Sequence, residues 1–138
     1  MSDVVQFTVQ GQLVSMKNSR IWTGKRSVKS ARAQAYEEAF LWEVKQHKPD
    51  DAPWTGPVAM HCDVWYDNVR SDLDVALIMD LLQDIRYWRK KGEPVYGAGF
   101  YGDDNQIVRL DLEKHIDPEN PRVTIKLRRL TDDKTADG

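Results

Sequence analysis

Asp72-Leu73-Asp74 is the segment of this sequence best suited to chemistry, and Asp103-Asp104 is the second. Residues two apart on an extended stretch point the same way, so the Asp72 and Asp74 carboxylates can meet one ion. Asp103-Asp104 precedes an expected strand, and it could add a third carboxylate if that strand pairs beside the one before Asp72. Carboxylates ~4 Å apart repel by several kcal/mol per pair at an effective dielectric of about 20. Such a cluster needs a cation or raised pKa values. All-oxygen donors favour Mg²⁺ or Mn²⁺ over zinc. A plainer reading stands beside this one. Aspartate in the first helical turn is favoured by the dipole, and Asp103-Asp104-Asn105 has the composition of a turn. Spacing alone leaves both open, whereas the EF-hand ligand spacing is absent.

Basic residues gather apart from these acids. Lys17, Arg20, Lys25, Arg26, Lys29 and Arg32 fall in one run with no acidic residue among them, and Trp22 sits in their midst. Arg86, Arg89, Lys90 and Lys91 form a second knot beside Tyr87 and Trp88. The net charge of −2 and pI near 5.9 argue against coating of a polyanion by bulk attraction. Phosphate binding is the preferred role of Lys17, Arg20, Lys25, Arg26 and Lys29 around Trp22, with a solvated, solubilising segment as the alternative. Trp88 either contacts a ligand or covers the edge of the core. The lone Cys62 lies in an apolar strand pattern and reads as a small core residue rather than a nucleophile.

The elements that must position these groups follow from periodicity. Val5, Phe7 and Val9 alternate with polar residues as a first strand, which could extend to Leu13 or Val14. A long basic loop, 15–29, follows around Gly24. Ser30 is the expected N-cap of a helix running to about His47, with Ala33, Tyr36, Phe40 and Val44 inward and Glu37, Glu38 and Lys45 facing water. His47 suits the C-terminal end of that helix dipole. Prolines and Gly56 break the chain before a second strand carrying Val58, Met60, Cys62 and Val64. An apolar helix is expected from Asp72 to Ile85, then a glycine- and aromatic-rich connection from Arg86 to Gly102. Two strands close the chain, Gln106 to Glu113 with Val108, Leu110 and Leu112 inward, and Arg122 to Leu130. The tail 131–138 is short and polar. The fold class expected is α+β, one domain over 1–138 of β-α-β-α-β-β order, with two helices packed on a mixed sheet. No apolar run approaches the ~20 residues of a membrane span, and the N-terminus lacks a signal-peptide pattern, so a cytoplasmic protein with no membrane partner is expected.

Taken together, these motifs resemble the RusA family of Holliday-junction resolvases, many of them phage- or prophage-encoded, over nearly the whole chain. The residues that carry the resemblance are Lys17-Asn18-Ser19 after the first strand, the basic stretch with Arg32 to Tyr36, Asp72-Leu73-Asp74 opening the second helix, and Asp103-Asp104-Asn105-Gln106. The resemblance implies a homodimer with one magnesium site per subunit that makes paired nicks across a four-way DNA junction, in recombination and repair. It implies Asp72, Asp74 and Asp104 as the ligands, with Mn²⁺ an alternative ion. The metal would polarise the scissile phosphate and activate water. Lys17, Asn18, Arg20, Lys25, Arg26, Lys29, Arg70, Arg89, Lys90 and Lys91 are the expected DNA contacts.

Two positions depart from the family. Its usual Asn after the Asp-Leu-Asp is Val75 here, and its functional Lys on the helix is Ile78. Lys17, Arg70, Lys90 or Lys91 would have to supply the missing charge. The alternative is a junction-binding protein with impaired cleavage. A third reading, an unrelated α/β domain whose acids cap helices and turns, predicts indifference to Mg²⁺.

Overall fold

Alternating apolar residues become strands wherever one face can be buried, and the four longest strands form one sheet. The computed structural model describes residues 3–15, 20–22, 24 and 27–130. Strands β1 (Val4–Gln10), β4 (Val58–Tyr66), β7 (Ile107–Ile116) and β8 (Arg122–Arg129) lie in the order β1-β8-β4-β7. β1 and β4 flank β8 antiparallel, whereas β7 runs parallel to β4. Phe7, Val9, Met60, Cys62, Val64, Val123, Ile125 and Leu127 are buried on one face. The opposite face is polar: the Thr8 and Thr124 hydroxyls meet at 2.8 Å, in line with Asp63 and Glu113.

Helix α1 (Ala31–Lys45) begins where expected, with the Ser30 hydroxyl accepting from the Ala33 N–H at 3.1 Å. Its Ala33, Tyr36, Phe40 and Val44 enter the core, and Leu77, Ile78 and Leu81 of α2 (Ala76–Leu81) join the same cluster. This is an α+β arrangement, as the periodicity predicts. Cys62 is fully buried, and burial pushes its thiol up to about 12, which suits a core residue and not a nucleophile. No helix among the described residues is long and apolar enough to cross a membrane.

Several expectations need correction. The loop 15–29 contains a small hairpin, β2 (Arg20–Trp22) with β3 (Ser27–Lys29). The second helix is six residues long instead of running from Asp72 to Ile85. A hairpin of β5 (Ile85–Lys90) and β6 (Glu93–Tyr96) occupies much of the connection expected from Arg86 to Gly102. On β7, Val108 and Leu110 are 63% and 40% exposed, because β7 is an edge strand with little packed over it. Glu37 is buried instead of solvated, for a reason given below.

A parallel pair needs a long crossover, and the β4–β7 crossover carries both acidic motifs. Its two halves are sewn together after α2. Ala98, Gly99 and Phe100 donate their N–H groups to the carbonyls of Leu81, Gln83 and Leu82, and Asp84 donates to Tyr101. Gly97 makes this approach possible, since a β-carbon there would collide with the backbone carbonyls of Gln83 and Leu81. The chain thus returns from the hairpin directly onto the end of α2 and delivers Asp103-Asp104 there.

Candidate functional site

Beyond Tyr66, at the end of β4, a polar stretch descends to α2. The Asn68 side-chain oxygen accepts from the N–H groups of Arg70 and Ser71 at 2.8 and 3.0 Å, closing an Asx turn. The Tyr66 hydroxyl donates to the Asp72 carbonyl at 2.9 Å and faces the Asp74 N–H at 3.4 Å. Burial raises that hydroxyl's pKa, and the charges of Asp74 and Asp72 add to the shift, so it remains a donor. Asp74 stands one residue before the N-cap, Val75, and accepts from the Ala76 N–H at 3.0 Å, satisfying one free donor at the start of α2. Lys114 of β7 completes the frame. Its ammonium donates to the carbonyls of Val69 (2.9 Å) and Ser71 and lies 5.8 Å from the Tyr66 ring centroid. No sequence motif marks Lys114. Only the parallel β4–β7 pairing brings it beneath the acidic segment.

A cleft of about 460 Å³ opens alongside, lined by Leu13, Val14, Arg32, Tyr66, Arg70 and Asp72. Arg32 and Arg70 are exposed and line this cleft together with Asp72. Arg32 belongs to the basic run, yet the sequence did not single it out. Lys17, Asn18, Lys25 and Arg26 lie outside the described residues, and Arg20 is described only by its backbone in β2. Lys29 is paired with Glu37 at 2.6 Å, which commits it to structure as much as to any ligand.

Asp104 is held separately. Its N–H donates to the Gln83 side chain at 2.8 Å, just past the C-terminal end of α2. Asp103 caps the 3-10 turn at Asp104–Gln106 and accepts from Asn105 N–H at 2.9 Å. Gln106 locks the turn to the Trp54 and Gly56 carbonyls at 2.9 Å each. Burial raises the Asp104 pKa first, followed by its hydrogen bond with Asp103 and the charges of Asp103 and Asp80. Asp72 and Asp74 therefore stand at one end of α2 and Asp104 at the other, a helix about 9 Å long at 1.5 Å per residue. Among the described residues, the metal-ligating groups whose donor atoms all lie within 4.8 Å of one another are Asp63, Glu113 and His115, not these three aspartates.

Arg89, Lys90 and Lys91 project from the β5–β6 hairpin, all exposed. Trp88 is 56% exposed, so it does not serve as a lid on the core. Arg86 differs from them: its side chain is only 7% exposed and bridges Asp80 at 2.6 Å and Glu37 at 3.0 Å. Val75 and Ile78, where the resemblance led to an expectation of Asn and Lys, are both core residues.

The Asp63, Glu113 and His115 group could hold a metal ion. It sits on the polar face of the sheet, where Asp63 and Glu113 are register partners. Period-two alternation placed His61 and Asp63 on the outward face of their strand, but nothing in the sequence revealed which strand lies beside them. No protein-family model and no curated protein matches this chain.

Proposed function

We propose that this protein is a Mg²⁺-dependent, structure-selective endonuclease of RusA type that nicks four-way DNA junctions as a homodimer. The observation that carries the reading is the Asp72–Asp74 segment, clamped by Tyr66 and Lys114 at the lip of a cleft bearing Arg32 and Arg70. Asp72 and Asp74 offer oxygen donors, and magnesium is commonly held by one or two carboxylates together with waters and substrate phosphates; Asp104, at the far end of α2, stands apart from that pair. When bound, the ion supplies a Lewis acid for a phosphoryl oxygen and lowers the pKa of a bound water.

The chain's own residues do the rest. Arg32 and Arg70 take backbone phosphates at the cleft, which positions the strand without reading its sequence. Arg89, Lys90 and Lys91 on the hairpin offer a second phosphate contact, with Trp88 exposed for stacking. Lys17, Asn18, Lys25 and Arg26 are assigned to the same role on the resemblance alone. Lys114 substitutes for the family's helix lysine in a limited sense: it holds the acidic loop in place through carbonyl groups. β7, an exposed sheet edge bearing Val108, Leu110 and Ile116, supports pairing with a second copy.

A second reading is favoured by one observation. Val75 and Ile78 lie in the core, so the family's polar pair has no place on α2, which suits a junction binder with impaired cleavage. The assay uses a labelled four-way junction and a linear duplex of the same sequence, each with Mg²⁺ or chelator, beside Asp74→Asn. Symmetric, Mg²⁺-dependent nicking of the junction alone, lost in the variant, is the expected result. Tight binding without nicking selects the second reading. Neither nicking nor preferential binding refutes both.

A further inference from the structure

On the face of the sheet away from the acidic loop, four metal-ligating side chains converge from two strands. His115 Nε2 stands 2.9 Å from one Asp63 oxygen, and His61 Nε2 stands 3.1 Å from the other. Glu113 brings a carboxylate oxygen to 3.9 Å from the same His115 nitrogen. We propose that this cluster is a binding site for a divalent transition ion of the zinc class, separate from the magnesium site and independent of the nuclease reading.

The donor chemistry separates the two. The Asp72 and Asp74 segment offers oxygen only, whereas this group adds imidazole nitrogen, which favours zinc-like ions over magnesium. The spacing also fits. Donors bound at ~2.0–2.1 Å in a tetrahedron lie about 3.3 Å apart, and the separations here of 2.9 and 3.9 Å bracket that value. Small side-chain rotations bring Asp63, Glu113 and His115 onto one ion. As a ligand through Nε2, His115 is the neutral tautomer that carries its ring hydrogen on Nδ1. His61 then supports the site from outside by holding the second Asp63 oxygen. The fourth position is left to water.

The rest of the site is already ordered by the fold. Asp63 and Glu113 are partners across the parallel β4–β7 pair, so the backbone fixes their separation. The His115 ring stacks on Trp65 with centroids 4.6 Å apart, and Arg122 covers the other ring with its guanidinium 4.0 Å from the Trp65 centroid. The side chains of Asp63 and His115 are 27% and 30% exposed, open enough for an ion to reach them. Binding would clip the edge strand β7 to β4. β7 also carries Lys114, so the ion would steady the clamp on the acidic loop.

The test uses the full chain, stripped with chelator and titrated with Zn²⁺ by calorimetry and with Co²⁺ by visible absorption, in the absence of DNA. One equivalent per chain is expected, together with a rise in melting temperature on adding Zn²⁺. His115→Ala and Asp63→Asn should each weaken binding by more than the ~10–100-fold expected of the supporting His61→Ala. Asp72→Asn and Asp74→Asn should leave it unchanged. Failure of the wild-type chain to bind either ion overturns the proposal. So does binding that survives His115→Ala but disappears in His47→Ala, which would place the ion at the exposed His47–Glu43 pair. If Asp63→Asn does not fold, His115→Gln, at a partly exposed position, reads the same site.

Discussion

Arg86 offers the most demanding check on this structure, because its role contradicts its place in a run of exposed basic residues. Its guanidinium donates to Asp80 through Nε at 2.7 Å and to Glu37 through an Nη at 3.0 Å, with its side chain only 7% exposed. The Asp80 charge and hydrogen bond, with those of Glu37, raise its pKa despite a burial that works the other way. Arg86→Met keeps the aliphatic bulk and removes the charge. Removing one partner of a buried pair costs about 3–5 kcal/mol, since the remaining charge is left unsolvated. Here Glu37 keeps Lys29 at 2.6 Å and Asp80 keeps the Gln83 amide at 3.2 Å, so the lower end, about 3 kcal/mol, is expected. Urea unfolding followed by tryptophan fluorescence and circular dichroism measures the loss. Adding Asp80→Asn should recover about 1 kcal/mol or more of it, because Asp80, left with only a neutral amide partner, is the charge that Arg86→Met orphans. A loss below about 1 kcal/mol, or strict additivity of the two changes, would refute the buried bridge.

Three further outcomes follow from the geometry. Gly97→Ala should destabilise the fold by at least about 1–3 kcal/mol in urea unfolding, because the new methyl meets backbone carbonyls that cannot rotate away. Tyr66→Phe should cost about 1 kcal/mol of stability and reduce Mg²⁺-dependent nicking more than junction binding, since it frees the Asp72–Asp74 segment but leaves Arg32 and Arg70 in place. Asp51 has its carboxyl held below the ordinary range by hydrogen bonds from Trp54 and Arg129. A depressed folded pKa contributes stability above the unfolded value of about 3.9 and loses it as pH falls through the lower folded value. Asp51→Asn should therefore flatten the acid limb of a stability–pH curve below about pH 4 while leaving its slope above pH 6 unchanged.

Much of this molecule is dictated locally. The alternation in β1, β4 and β8 and the three-four spacing in α1 depend only on which residues share a face, so the sequence by itself determines those elements and their buried sides. Cys62 as a core residue and Ser30 as a cap follow from the same local rules. The Asp72 and Asp74 pair was likewise legible as an acidic motif at the start of a helix. Its resemblance-based partner, Asp104, was legible as a residue but not as a position.

What the tertiary structure decided concerns contacts between distant segments. Glu37 lies on a face that helical periodicity assigns to water, yet Arg86 and Lys29 arrive from elsewhere and make burial tolerable. The helix after Asp74 stops at Leu81 because the returning segment 97–101 takes up the backbone groups of residues 81–84. That return puts Asp104 beside Gln83 and Asp80, away from Asp72 and Asp74. Lys114 and the Asp63, Glu113 and His115 cluster depend on β7 lying parallel to β4. A period of two states which face a side chain takes, and it carries no information about which strand will lie beside it.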